Sequence, residues 1–328
     1  MDTQKPNKKA ILFFIVIIPL LTELLSGNTP ITQMLNPIVF LFFIVCYSLP
    51  ALIIRELFIR WRLGLVGLFV LGLAYGVFNE GVAARTLLLT GDAMFIPAFR
   101  GFSTFGFNIP WAFFIVPWHA FFAIVYPIVI THALYPAEAT RNWLSKSMIW
   151  VIADGVALFG TAVYFSDSKY PGTPPLYLMF FWAIIFFLVF IARKIPQGPK
   201  TSFAIEDAHP PSFRKLCIFG VMFGLAQLLS FIWSAAKLSV LEQLTLVCLP
   251  YGVLLYMLRK KEVVSVGTLA RLAVLHYGIW TMLTLAIALS SGSVILMLSG
   301  GIVWVLLLTL WKKIAHMYPL HIEAPVVV

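Results

Sequence analysis

The sequence predicts an all-α fold, a polytopic transmembrane helical bundle of about ten spans with both termini on the cytoplasmic side. Three observations carry this. The 328-residue chain is 61% hydrophobic and 11% charged, where soluble domains carry roughly 25% charged residues. Uninterrupted apolar runs recur from end to end, each long enough to cross ~30 Å of hydrocarbon as a helix. The basic residues sit in short clusters between those runs. Unpaired backbone cannot face lipid, so such runs mean helices or a closed barrel. Their lack of apolar–polar alternation excludes the barrel.

Taken in order, spans are expected near 10–26, 37–54, 63–88, 111–134, 147–165, 176–193, 216–234, 239–258, 268–289 and 293–311. The first follows Lys5, Lys8 and Lys9 and has the outline of a signal peptide. Glu23 interrupts its end and Leu24 stands where a small residue would precede cleavage, so it reads as a retained span. With the amino terminus inside, 19 of the 23 Lys and Arg fall in cytoplasmic segments. Three, Arg100, Lys169 and Lys237, fall outside, and the remaining one, Arg85, falls within the third span; Arg193 and Arg271, at the cytoplasmic ends of their spans, are counted inside. This is the positive-inside pattern, and it accounts for the net charge of +10 without nucleic acid. The expected surroundings are therefore the lipid bilayer of a bacterial cytoplasmic membrane. Cys46, Cys217 and Cys248 all lie in apolar runs and read as small buried hydrophobes.

The chain reads as a single membrane domain, 1–328. A polar, proline-bearing cytoplasmic connector at 195–215 separates spans one to six (1–194) from spans seven to ten (216–328). The outer loop near 90–110 differs, with Phe95, Phe99, Phe102, Phe105 and Phe107 among glycines. It is too apolar for a simple solvated loop, and suits an interfacial anchor or a lid over the bundle mouth.

An ionisable side chain in hydrocarbon costs about 3 kcal/mol on insertion scales, so each one calls for a reason. The candidates are Glu23, Glu80, Arg85, His119, His132, Asp154 and His276. Arg55 and Glu56 are expected at a hydrated edge, with His132 a similar interfacial residue. Glu80 leads. It follows Gly72 and Gly76 at four-residue spacing, so all three share a helix face that admits a close neighbour. Arg85, five residues on, points elsewhere on a straight helix and is expected to snorkel outward unless the helix breaks near Gly81. His119 should lie about 12 Å deep from the outer end of its span, at the depth of Glu80. Pro117 and Pro127 make that span irregular. Asp154, beside Gly155, is expected to face protein near mid-membrane, as is His276. Either could join Glu80 and His119, and Glu23 is a further candidate member. The bland reading of each is hydrogen-bonded packing.

The stretch Arg55-Glu56-Leu57, followed by Leu71-Gly72-Leu73-Ala74-Tyr75-Gly76-Val77-Phe78-Asn79-Glu80-Gly81, resembles a signature of uncharacterised prokaryotic multi-span membrane proteins. The run from Trp118-His119 to Tyr126-Pro127-Ile128 is similar to that group's second block. A membrane glutamate pair, a following basic residue and later histidines also distantly resemble the CAAX-processing and bacteriocin-processing (CPBP) intramembrane proteases. Here the pair is Asn79-Glu80, Arg85 comes one position late, and Ile115 and Trp280 stand where that family's patterns have Phe and Asn or Asp. That resemblance implies Glu80 activating water, with His119 binding metal or stabilising an oxyanion.

No phosphate loop, zincin motif, serine elbow or dinucleotide fingerprint is present. The residues assign no cofactor, metal or protein partner. Three functions stay open: a buried Glu80–His119 cluster serving as an intramembrane hydrolase-like site, a transporter or proton relay through Glu80, Asp154 and the histidines, and an accessory membrane protein without a site.

Overall fold

The computed structural model describes residues 6–26, 29–94, 99, 105–166, 174–195, 221–222, 224–229, 239–259 and 266–319. These residues form helices and no strand. The helices are α1 (Lys8–Ser26), α2 (Ile31–Met34), α3 (Pro37–Phe43), α4 (Leu49–Arg60), α5 (Leu65–Val77), α6 (Ile109–His119), α7 (Tyr126–Leu134), α8 (Lys146–Ser166), α9 (Pro175–Lys194), α10 (Val240–Arg259), α11 (Val266–Ser291) and α12 (Val294–Met317).

Three wider π turns are built into these helices: Ile44–Ser48 joins α3 to α4, Phe78–Ala83 extends α5, and Ala120–Val125 joins α6 to α7. Among the described residues, seven helices are long and apolar enough to cross a membrane: Pro37–Arg60, Leu65–Ala83, Ile109–Leu134, α8, α9, α11 and α12. Each coincides with an expected span. The expected spans 10–26 and 239–258 coincide with α1 and α10, of 19 and 20 residues. The span at 216–234 and the connector at 195–215 fall largely outside the described residues.

Local chemistry sets several helix starts. Asn36 accepts a hydrogen bond from the Ile38 N–H ahead of Pro37, and Asn108 accepts one from the Trp111 N–H ahead of Pro110. Both are N-caps followed by a proline that needs no donor. Gly292, at φ +65°, turns the chain from α11 into α12.

Burial divides centre from rim. In its most apolar stretch the Ile109–Leu134 span is 89% buried, against 22% for α8 and for α9. The central span packs against α5, α10 and α11, while α1 touches α7, α11 and α12. Large apolar residues left exposed on the outer helices, such as Trp150, Leu158, Phe186 and Phe187, suit a lipid-facing surface.

The contact between α5 and the central span has the geometry its glycines imply. A Cβ placed on Gly72 would lie 2.9 Å from the Ala120 Cα, and one on Gly76 would lie 2.5 Å from the Val116 carbonyl oxygen. These backbones touch because no side chain separates them. Position 72 therefore lies against 120 and position 76 against 116, so the two helices run antiparallel.

Asp154 departs from expectation. It is exposed on the rim of the bundle, not turned into protein. The inward face of α8 is Ile149, Val156, Gly160 and Tyr164, with Gly160 seated on the Phe78 ring. Gly155 has open space around it, so the small residue beside Asp154 marks no helix contact.

Gly76→Leu is expected to lower the yield of monodisperse protein in detergent sharply, because the new side chain meets backbone that cannot move aside. Gly155→Ala should leave yield unchanged. Size-exclusion chromatography of the two variants side by side checks both.

Candidate functional site

Glu80 and His119 meet. Glu80 Oε1 lies 2.6 Å from His119 Nε2. Their helical positions are not level, since Gly76, not Glu80, faces Val116. The side chains close the gap because each leans toward the N-terminus of its own helix. On antiparallel helices those leans converge, and the two groups meet.

Neighbours fix the pair. Asn79 Nδ2 is 3.2 Å from Glu80 Oε1 and 3.1 Å from His119 Nε2. Thr86 donates its hydroxyl to Glu80 Oε2, and Trp111 Nε1–H donates to the Thr86 oxygen at 2.9 Å. The His119 ring packs among Trp118, Tyr47 and Tyr75. His119 Nδ1 and the Trp118 indole nitrogen are buried with no hydrogen-bond partner among the described residues. Such atoms are uncommon and call for an explanation such as a bound water or ligand group.

The pair lines a cavity of about 450 Å³. A second carboxylate, Glu23 at the end of α1, lines it too. The Tyr47 hydroxyl donates to Glu23 Oε1 at 2.5 Å, and Thr29 donates to Oε2 at 2.6 Å. Much of the remaining wall is aromatic, including Phe43, Trp111, Phe114, Trp118 and Trp280. Phe42 and Ile287 belong to the same wall yet are 44% and 45% exposed. Both sit on membrane-length helices, so the cavity reaches the side of the bundle through an apolar rim. The loop near 90–110 is described only in part. Phe99 is buried against Trp111 and Phe114 of the cavity wall, and Phe105 is fully turned outward.

All three π segments adjoin this site. Cys46 and Tyr47 lie in the first, Asn79 and Glu80 in the second, and His119 immediately precedes the third. π turns widen a helix and disturb its carbonyl ladder, and they recur at functional sites. Tyrosines satisfy exposed carbonyls here. Pro50 cannot donate to Cys46 O, which accepts the Tyr75 hydroxyl at 3.1 Å. Tyr277 donates to Phe122 O at 2.5 Å, five residues before Pro127, and Tyr251 donates to Phe114 O at 3.1 Å.

The other candidates lie elsewhere. Arg85 does not snorkel. The chain leaves the helix at this point, with Arg85 at φ +56°, and the side chain is buried with its guanidinium 5.4 Å from the Tyr164 ring. His276 is on another interface, its Nδ1 2.6 Å from the Tyr126 hydroxyl and its ring against Phe122. His132 is buried beside Phe58, not interfacial. The described residues contain no group of three His, Cys, Asp or Glu able to hold a metal ion. Cys217, His209 and His321 lie outside the described residues; His316 is exposed.

The expectation of a hydrated edge for Arg55 and Glu56 is corrected by a polar cluster away from the cavity. Both side chains are 0% exposed. Arg55 pairs with Glu56 Oε1 at 2.7 Å, donates to Glu138 O, and lies 3.6 Å over the Trp143 ring. Glu56 Oε1 accepts the Trp143 N–H at 2.7 Å, while Glu138 accepts Trp143 Nε1–H at 2.9 Å and pairs with Arg141 at 3.0 Å. The segment after α7 folds over the end of α4 and removes it from water.

A model of the Uncharacterized membrane protein family matches residues 12–315, and the chain belongs to that family. No curated protein and no solved structure matches the chain.

Removing one partner of a buried pair leaves the other charge uncompensated, at about 3–5 kcal/mol. Glu56→Gln should therefore lower the apparent Tm of the detergent-solubilised protein by several degrees, and Asp154→Asn should not. Thermal unfolding followed by tryptophan fluorescence measures both.

Proposed function

We propose that this member of the Uncharacterized membrane protein family is a ten-span protein of the cytoplasmic membrane, with both ends inside, that carries an intramembrane hydrolase-like site at Glu80 and His119. The observation that supports it is the 2.6 Å Glu80–His119 contact in the wall of a cavity open to the side of the bundle. A carboxylate and an imidazole at this separation form an acid–base pair. Glu80 removes a proton from water in the cavity, and His119 stabilises the negative charge that develops on the substrate oxygen. Thr86 and Asn79 hold Glu80, and Trp111 holds Thr86. The apolar walls limit competing bulk water.

A second reading, a proton or substrate relay, draws on Glu23 as another carboxylate in the same cavity. It is weaker because Asp154 is exposed and His276 bonds Tyr126 on a different interface, so neither extends a polar path from the cavity.

Proteoliposomes of the full chain should hydrolyse at least one member of a panel of fluorogenic amphiphilic esters and peptides. Glu80→Gln and His119→Ala should each lower that rate at least about 100-fold, the usual scale of general acid–base catalysis, with membrane-inserted yield unchanged. Loss of yield in both variants would make the pair structural, and an inert wild type would remove the enzyme reading.

Reporter fusions at Lys200 and Val328 test the topology. Both should report cytoplasm, and a periplasmic signal at either position overturns the ten-span arrangement.

A further inference from the structure

The cavity lies toward one end of the bundle. Thr284 of α11 donates to Leu25 O at the end of α1, the Phe42 ring of α3 is 5.7 Å from the Phe159 ring of α8, and Gly160 of α8 sits on the Phe78 ring in the π extension of α5. The C-terminal ends of α1, α5, α8 and α11 therefore stand together with the start of α3. The rim of the cavity is just inside those ends. Phe42 is five residues from Pro37, Ile287 four from Ser291 and Val163 three from Ser166, depths of about 8, 6 and 5 Å at helical rise. Glu80, three residues from Ala83, is about 5 Å deep and leans inward, while His119, ten residues from Ile109, is about 15 Å deep and leans outward. Opening and acid–base pair thus share one leaflet, the outer one on the topology proposed above.

We propose that the site takes an acyl lipid of the surrounding bilayer, which enters sideways past Phe42, Val163 and Ile287, brings an acyl carbonyl to Glu80 and His119, and leaves most of its chain in the membrane. The proposal rests on the hydrolase reading and names its substrate class.

Depth carries the argument. The hydrocarbon of a bilayer ends where the acyl carbonyls begin, about 15 Å from its midplane. The rim residues sit within two turns of the ends of membrane-length helices, so the opening is at that layer. A lipid presents its ester there without rearrangement, headgroup toward the helix ends and chain toward the midplane. A membrane-spanning peptide presents carbonyls already bonded within its own helix, and must unwind in lipid before one reaches the pair. The rim residues Phe42 and Ile287 are partly exposed on the lipid side, and Phe43, Phe114 and Trp280 carry the apolar surface inward. At about 450 Å³ the cavity is within the roughly 300–1,000 Å³ of small-molecule sites, which suits an ester and the adjoining part of one chain. The chemistry follows from the pair. Glu80 takes a proton from water, the water oxygen bonds to the acyl carbon, the ester C–O bond breaks, and the proton passes from Glu80 to the departing alcohol oxygen. The fatty acid leaves through the same opening into the bilayer.

Lipid entry is read separately from hydrolysis. The full chain is placed in liposomes containing phosphatidylcholine with a photoactivatable diazirine either beside the acyl carbonyl or at the chain end, and labelled residues are mapped by mass spectrometry. The first probe should label Tyr47 or Trp118 in the cavity wall at least tenfold more than the second. Ile287→Trp and Phe42→Trp, which fill the rim from different helices, should each lower that labelling at least tenfold and leave labelling of Phe186 and Phe187 on the outer face of α9 unchanged. Release of labelled fatty acid from the same liposomes should fall in parallel. Absence of cavity labelling, equal labelling by the two probes, or labelling unchanged in both folded rim variants would each overturn the proposal. If neither variant folds, the two probe positions on the native chain still decide. Hydrolysis of a soluble ester or of a membrane peptide without cavity labelling would keep the enzyme reading and remove the lipid. Carbonyl-selective labelling without release of fatty acid would keep the lipid site and remove the enzyme reading.

Discussion

The backbone contact of Gly72 and Gly76 with Ala120 and Val116 is the constraint on which the site depends. Helix axes usually stand 8–10 Å apart because side chains intervene. Removing two of them on one face brings α5 onto the central span and fixes its register. Given that register and the antiparallel sense, the lean of each side chain carries Glu80 and His119 to one point. A single methyl at Gly76 would push the helices apart. The carboxylate would then face hydrocarbon without its partner. The glycines are structural in position and decide, through distance, whether the carboxylate and the imidazole meet.

Irregular helices are the second condition. A regular helix satisfies its own backbone and leaves little with which to build a polar site in lipid. Prolines 50, 117 and 127 and the three π segments give up that self-sufficiency on the cavity's side of the bundle. Tyr75 and Tyr277 restore two of the lost bonds from neighbouring helices, and Tyr251 adds a bond to the Phe114 carbonyl. Each such tyrosine also ties one helix to another, so the irregular stretches are held by α5, α10 and α11. Bulged turns of this kind move a side chain off its regular angle. That is how Asn79 and Glu80, adjacent in sequence, both reach the same imidazole nitrogen.

Much of this was legible from residues alone, for identifiable reasons. Long apolar runs have one structural solution in lipid, so the seven membrane-length helices coincide with expected spans. Glycine spacing located the close contact because small residues have few other uses on a membrane helix. Glu23, Glu80 and His119 were found because an ionisable group in hydrocarbon demands a partner. The failures are equally physical. Asp154 shares its helix with Gly155, but spacing along one helix does not tell which face meets protein. Arg55, Glu56 and His132 lie near span ends, where hydropathy suggests water; a loop folded over them is a tertiary fact. Tyr47, Thr29, Thr86 and Trp111 were missed because hydroxyls and indoles are ordinary in membrane spans. Only Pro117 and Pro127, which mark backbone in need of donors, hinted that such residues would matter.

The buried Arg55–Glu56 cluster has a consequence for the way the chain is assembled. Arg55 bonds to the carbonyl of Glu138, 83 residues later. At about 5–20 residues per second, synthesis separates the two by roughly 4–17 s. Throughout that interval Arg55 and Glu56 have each other but not the segment that covers them, so the end of α4 must wait in a hydrated setting. The helix pair α3–α4 reaches its final depth and packing only after α7 has been delivered and the chain beyond it has folded back. The order in which spans leave the translocation machinery is thus coupled to the locking of this corner. A chain interrupted before Trp143 retains the apolar length to insert but lacks the means to bury its own charges.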